Sequence, residues 1–470
     1  MSQAEATQLY KQGDYAAAAA SFTQVLNQTQ DAATRSIILS NRAACALAMQ
    51  DPAAAGADCR AGLVLNPLSP KLRLRLAKAL TQQQQYSAAA AEVAAAVALE
   101  KPKEPSSELL QLYQQVTAAT GVSDGSPAAA DTSMDSSSAG VQLPAHPQNI
   151  LYVSSAQQLM YANSRQVPFI VLAPGAYVLT QPLDGGYRPS GGCTIVGLGQ
   201  VSITCRNTHA VWVCSGDLTL VNVQLAGSGD GAAVCVSPAN PAGIMAGLPS
   251  MLGNASCKMI DCRVEQYPEA GLLVCGSGAH AALHGCSFKR CKQHAIEVRE
   301  GGSLYACNTV MDSCKQGVAA YGGAKSVQLY SCSIRSTRKE GILAAGSYVN
   351  AATAAQRQVR DPRISPFRSA TSQRATEEAE AWGRQHGQQL TLVMSDCSLQ
   401  GCGNFGVSVD EGAAARISRC RMEACDPYCV FIKGRSDACI TACQFVYGGK
   451  SSKSIWAQGQ ALTAAGELTE

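Results

Sequence analysis

The strongest constraint in this sequence is a recurring cysteine. Short apolar strands carry Cys262 in IDCRV, Cys286 in HGCSF, Cys307 in YACNTV and Cys332 in YSCSI. After a gap come Cys397 in SDCSL, Cys420 in SRCRM and Cys443 in TACQF. The unbroken spacings are 24, 21, 25, 23 and 23 residues. Between them fall GLLVC from Gly271, AIEVR from Ala295, GVAAY from Gly317, GILAA from Gly341 and GVSVD from Gly406. A strand, a turn, a second strand and a Gly turn repeated at this period describe stacked coils, in which equivalent residues lie about 4.8 Å apart. The cysteines should then form an internal ladder. A second set, Cys291, Cys314, Cys402 and Cys425, follows five to seven residues after the first. No CxxC pair is present, so structural thiols rather than zinc ligands are expected.

The first 120 residues are different. They hold three of the 42 glycines and are rich in Ala, Leu and Gln, which favours helix. Three segments align: ATQLYKQGDYAAAAASFTQVL from Ala6, NRAACALAMQDPAAAGADCRAGLVLNP from Asn41, and RLAKALTQQQQYSAAAAEVAAAVAL from Arg75. Tyr15, Pro52 and Tyr86 occupy the turn; Ala18, Ala55 and Ala89 follow, then Phe22, Cys59 and Val93. Residues 105–119 read as a closing helix. Residues 121–148, rich in Ser, Ala and Pro with no basic residue, read as a flexible linker. The predicted organisation is therefore multidomain: an α-helical solenoid over 1–120, the linker, a right-handed parallel β-helix over 149–460 interrupted by an insertion at 347–388, and a tail at 461–470.

The helical segment resembles the tetratricopeptide repeat, whose period is about 34 residues. One subgroup, in chaperone-binding co-chaperones, clamps the C-terminal carboxylate of Hsp70 or Hsp90. Its pattern places Asn41, Lys71 and Arg75 in a peptide-binding clamp. Lys71 and Arg75, four apart, share a helix face. Where the pattern has Lys and Asn, this chain has Gln3 and Thr7, so the resemblance implies a degenerate clamp. Residues 149–204, with an amphipathic SAQQLMYANS followed by PFIVLAPGAYVL, resemble the start of a pectin-lyase-like β-helix, whose open end needs a cap.

That fold also hosts polysaccharide lyases and glycoside hydrolases, which cluster carboxylates. Here no Asp-Asp pair occurs in the second half; Asp230 sits next to a Gly turn, Asp410-Glu411 reads as a solvated pair at a strand end, His284 and His294 lack matching carboxylate neighbours, and His284 reads as a turn or wall residue. No catalytic residue, metal or cofactor is assigned. Lys289, Arg290 and Lys292, then Lys315, then Arg335, Arg338 and Lys339 recur on successive coils. They suggest a basic stripe for an acidic or phosphorylated ligand, near an arginine-rich insertion carrying a Ser365-Pro366 site.

Net charge of +3 with 15% charged residues argues against a general nucleic-acid binder. The first twenty residues lack a basic stretch followed by an apolar run, and no run of about 18 apolar residues occurs. With 21 cysteines and no secretory leader, a cytoplasmic, reducing setting is expected. The resulting expectation is a protein–protein interaction adaptor. A carbohydrate-active enzyme and a structural component of a cytoskeletal or ciliary assembly are the alternatives.

Overall fold

The computed structural model describes residues 2–100, 105–120, 141, 143–184, 192–205, 209–227, 231–238, 254–346, 390–410, 412–434, 436–446, 455–458 and 462–465. The chain divides into two compact units: residues 1–177 with 190–201 and 221–223, and the remainder.

In the first unit, seven helices follow one another: α1 (Gln3–Lys11), α2 (Tyr15–Gln28), α3 (Ala32–Ala48), α4 (Pro52–Leu65), α5 (Pro70–Gln82), α6 (Tyr86–Glu100) and α7 (Ser107–Thr120). Their starts are written in the sequence. Ser2, Asp14, Asp31, Asp51 and Ser69 each accept a backbone N–H of the first turn. Pro52 and Pro70 occupy first-turn positions whose N–H would be orphaned anyway. Tyr15, Pro52 and Tyr86 each open the second helix of a pair, as the alignment predicts. Just before them, Gly13, Gln50 and Gln84 share a left-handed backbone with φ of 84°, 59° and 60°. The aligned small residues Ala18, Ala55 and Ala89 are fully buried, and Phe22, Cys59 and Val93 fill the space between layers. Consecutive helices pack as hairpins, and α1, α3, α5 and α7 also touch one another along one layer.

Apart from Glu92, helix α6 is apolar and buried from Ala89 to Ala98, the mark of a helix covered on nearly every side. The covering beyond α5 and α7 comes from strands Ile150–Val153 and Phe169–Leu172 of the same unit. Val141 and Leu143, inside the expected linker 121–148, are buried; the Val141 N–H donates to Ser87 Oγ at 2.8 Å, and the Tyr113 hydroxyl donates to the Pro144 carbonyl. The first strands thus belong with the helices in one compact unit, so the unit boundary falls later than residue 149. The predicted capping helix is α8 (Ala156–Ser164), capped by Ser155.

From Ile150 onward the chain forms a right-handed parallel β-solenoid. Among the described residues its three parallel sheets have twelve, ten and ten strands, with neighbours in each sheet drawn from successive coils. One coil runs Ala279–His284 in sheet 1, Ser287–Lys289 in sheet 2 and His294–Arg299 in sheet 3, before Ser303–Cys307 begins the next in sheet 1. Inward columns are apolar and in register: Ile296, Val318, Ile342, Val407 and Val430 in sheet 3; Phe288, Met311, Ile334 and Leu399 in sheet 2. All are fully buried.

Two details depart from the sequence reading. The first concerns the ladder. Cys307 pairs with His284 and Tyr330 at the end of its sheet 1 strand. The ladder position two residues on is Thr309, fully buried. The column therefore reads Cys262, Cys286, Thr309, Cys332, Cys397, Cys420, Cys443. A shared hydrogen bond explains why threonine fits. Each ladder residue follows a left-handed one; Asp261, Asn308, Ser331, Asp396 and Arg419 have φ between 50° and 56°. Behind that bend, the side chain donates to the carbonyl two residues earlier. Thr309 Oγ1 reaches the Cys307 carbonyl at 3.1 Å, as Cys397 Sγ reaches Ser395 at 3.3 Å and Cys332 Sγ reaches Tyr330 at 3.4 Å. A small donor in a narrow stack is required, and sulfur is not. Thr337 stands in the second column between Cys314 and Cys402, but there the hydroxyl donates forward, to the Lys339 carbonyl at 2.9 Å. We expect Cys397→Thr to keep stability within about 0.5 kcal/mol, whereas Cys397→Ala loses about 1–2 kcal/mol from the lost donor and the void. Differential scanning fluorimetry of the two variants checks this; a cost for threonine matching that for alanine would refute the role of the donor.

The second detail concerns the glycines. Gly271, Gly317, Gly341 and Gly406 stand at or beside the starts of sheet 3 strands rather than in turns. At Gly271 a Cβ would lie 2.5 Å from the Phe288 ring, so the interior side chain of sheet 2 excludes any substituent there.

Candidate functional site

The layer formed by α1, α3, α5 and α7 carries the predicted clamp residues. On α3, residues Thr34, Ile37, Asn41, Ala44 and Ala48 form the least buried stripe, recurring every three or four positions. Asn41 is half-buried in that stripe and Lys71 is exposed on α5. Arg75 is half-buried on α5; its Nη1 donates to the Ser40 carbonyl at 2.6 Å and also to the Ser40 hydroxyl. This contact across helices fixes the guanidinium beside Asn41. Burial lowers the Arg75 pKa, and the nearby Cys59, Tyr10, Glu108 and Cys45 oppose that shift. A guanidinium has five N–H donors, so the Ser40 contact leaves others for a ligand. Thr7 lies on α1, where its hydroxyl donates to the Gln3 carbonyl at 2.8 Å. Gln3, Ala4, Thr7, Gln8 and Lys11 line an open depression on that helix. Lys78 is paired with Glu108 of α7. The other arginines nearby are structural: Arg42 grips Asp58 with two hydrogen bonds, and Arg73 pairs with Glu92 at 2.7 Å.

The predicted basic stripe separates into two columns. At the end of the sheet 2 strands the register runs Glu265, Lys289, Asp312, Arg335, Gln400, Glu423. Signs alternate there, because cross-strand neighbours of like charge repel and opposite charges attract. Lys289 and Arg335 therefore do not build a single-sign stripe. Arg290 leans back to Glu265 at 3.7 Å. In the turn after these strands, backbone bonds from Lys315 to Cys291 and from Arg338 to Cys314 place Lys292, Lys315 and Arg338 on successive levels. There a short cationic column does form. Burial and the neighbouring Lys339 lower the Lys315 pKa, and Glu340 opposes the shift.

A cluster on the outer face of sheet 3 escapes the sequence reading, which gave His294 no carboxylate partner. Glu297 is buried, with Oε2 3.4 Å from His294 Nδ1 and Oε1 3.5 Å from Arg299 Nη1; the Tyr321 hydroxyl also donates to Oε1. Burial alone would raise this carboxyl, but Arg299, His294 and Tyr321 outweigh it and hold Glu297 down at about 2. Glu300 accepts the Cys275 thiol at 3.1 Å and lies 3.8 Å from Arg299 Nε. The signal in the sequence was HAIEVRE, whose charged residues crowd one short strand. Further along the same sheet, Phe405, Tyr428, Phe431 and Trp456 stack, with Phe405–Phe431 centroids 4.4 Å apart and Phe431–Trp456 4.7 Å apart.

His284 lies on the outer face of sheet 1 against Tyr305, ring centroids 5.5 Å apart. Burial and nearby Lys258 lower its pKa. It is the wall residue expected. Asp410 is largely buried on its strand rather than solvated. Asp230, Glu411 and the insertion 347–388 lie outside the described residues, as do 121–140.

General acid–base hydrolysis of a glycoside needs a carboxyl of raised pKa beside an ionised one. Burial raises the pKa of Asp261, which sits at the corner between sheets 1 and 2. Glu297, held ionised, is on sheet 3.

Comparisons with known proteins add a partial relative. No protein-family model matches the chain. It is 32% identical over 118 residues to Protein unc-45 homolog B of Mus musculus, a match spanning 24% of this chain and 13% of that protein. The chain therefore covers about an eighth of that relative's length. Among solved structures it is similar to the catalytic unit of a thermostable GH87 alpha-1,3-glucanase from Streptomyces thermodiastaticus strain HF3-3, with 10% identity, a TM-score of 0.35, and 70% and 69% of the two chains covered. It is also similar to the Agl-KA catalytic domain, with 10% identity, a TM-score of 0.35 and the same coverage. Among the described residues no helix is long and apolar enough to cross a membrane.

Proposed function

We propose that this protein is a non-catalytic interaction adaptor. Its helical repeats capture the C-terminal carboxylate of a partner peptide, and its β-solenoid offers a second recognition face. The observation that carries the reading is Arg75, held on Ser40 beside Asn41 with Lys71 one turn away. A pre-positioned guanidinium and a second cation on one face suit a carboxylate better than a solvated surface would. The tails of Hsp70 and Hsp90 are the partner class that the clamp resemblance points to. On the β-solenoid, Lys292, Lys315 and Arg338 are the residues for an acidic or phosphorylated ligand. Recognition is favoured over hydrolysis because the partners of Glu297 keep it charged and occupied. A reducing, cytoplasmic setting suits a chain whose 21 cysteines are all free thiols.

Fluorescence anisotropy with a labelled peptide ending in EEVD tests the reading. Converting its terminal carboxylate to an amide should weaken binding at least tenfold, because a charge-assisted hydrogen bond is lost. Equal binding of acid and amide would overturn the assignment.

A further inference from the structure

The charges along the same groove also bear on what a tail carries upstream of its carboxylate; this inference rests on the carboxylate-capture reading. The repeat fixes the levels. Counted back from the turn residues Tyr15, Pro52 and Tyr86, Ala4 stands level with Asn41 and Arg75, Thr7 with Ala44 and Lys78, and Lys11 with Ala48 and Gln82. The hydrogen bond from Arg75 to Ser40 agrees with that alignment of α5 on α3. At the middle level no cation is spare: Thr7 donates its hydroxyl proton to the Gln3 carbonyl, Ala44 is apolar, and Lys78 is engaged by Glu108. One turn further, Lys11 is exposed and borders the α1 depression with Gln3, Ala4, Thr7 and Gln8. The acids near it in sequence are spent on helix starts: Glu5 accepts the Ser2 N–H at 2.8 Å, and Asp14 accepts the Ala17 N–H at 3.0 Å. On α3 the stripe is bulky at Ile37 and small at Ala44 and Ala48, so the open course from Arg75 leads towards the level of Lys11. The helix rises about 10 Å from the level of Ala4 to that of Lys11, and one helix-to-helix step adds about 10 Å across, a diagonal of about 14 Å. An extended chain covers that in about four residues.

We propose that Lys11 is a second anion seat of this groove, so that the preferred tail carries an acidic side chain in the fifth place from its end. The terminal carboxylate, with any acid on the last side chain, meets Asn41, Lys71 and Arg75. The neutral middle level is crossed over Ala44, and the upstream acid reaches Lys11. The cation that the clamp pattern has where this chain carries Gln3 is thus supplied two turns later on the same face of α1.

The test uses the full chain and labelled peptides ending in VD, identical except for Glu, Gln or Lys in the fifth place from the end, each as free acid and as amide. At low salt, anisotropy should show the Glu peptide binding about threefold tighter than the Gln peptide, the size of an exposed ion pair, and high salt should remove the difference. Lys11→Glu should reverse the order, so that the Lys peptide binds tightest, and Lys11→Gln should bring the three within about 1.5-fold. A glutamate moved to the third place should be indifferent to either change. If Lys11 serves only the dipole of α1, both variants shift the melting temperature and leave the peptide order intact, and the seat is overturned. Equal binding of the Glu and Gln peptides overturns it as well, while a lasting advantage of acid over amide leaves carboxylate capture standing. If acid and amide bind alike throughout, capture itself fails, and this inference with it.

Discussion

Replacing both Lys71 and Arg75 with alanine is expected to lower the affinity for a carboxylate-ended peptide by roughly a hundredfold or more. Each cation contributes a charge-assisted hydrogen bond of about 1.5–3 kcal/mol to the bound carboxylate. The two single variants should differ in a second readout. Lys71 is exposed on α5, so Lys71→Ala should leave the melting temperature unchanged. Arg75 tethers α5 to Ser40 of α3, so Arg75→Ala should also destabilise the helical repeats by about 1 kcal/mol. Titration calorimetry of the double variant gives the decisive number. Affinity within threefold of the unaltered protein would remove the clamp from the account.

The second large effect concerns Glu297. Glu297→Ala should destabilise the β-solenoid by about 3 kcal/mol, because it strips Arg299, His294 and Tyr321 of their shared acceptor. The same carboxylate gives a pH signature. Its pKa is about 2 in the folded protein, against about 4.3 in an unfolded chain. A depressed acid contributes its stability fully above the unfolded value, and that contribution disappears as pH falls from about 4.3 through about 2. Melting temperatures between pH 5 and pH 2 should therefore fall more steeply for the unaltered protein than for Glu297→Gln. Parallel slopes would show that the carboxylate is not the titrating element.

Much of the fold was legible because repetition makes the same demand several times. Tyr15, Pro52 and Tyr86 mark their turns, and the buried alanines follow at the predicted positions. The ladder was misread at one rung. The spacings of 21 and 25 around Cys307 were the warning: moving that rung to Thr309 makes both 23. Matching by element rather than by hydrogen-bonding role preferred a sulfur in the wrong place. The charge stripe failed for a different reason. Lys289 and Arg335 share a column, but so does Asp312 between them, and register decides sign only once strands are aligned. Packing of α6 on the first strands had a sign in its nearly all-apolar circumference, broken by Glu92, which a repeat pattern alone does not explain. The clustering of His294, Glu297, Arg299 and Tyr321 was hidden because Tyr321 belongs to the following coil. Tertiary proximity of that kind leaves no local trace.

The bend behind each ladder residue has a consequence for how such a chain can change length. Every level presents its neighbours with the same kink and the same donor, whatever the surrounding letters. Gaining or losing a full circuit of about 23 residues hands each remaining level an equivalent neighbour. A single-residue deletion within a strand turns inside out everything up to the next corner. Lineages of this molecule should therefore differ by whole storeys, and their small insertions should gather at the corners.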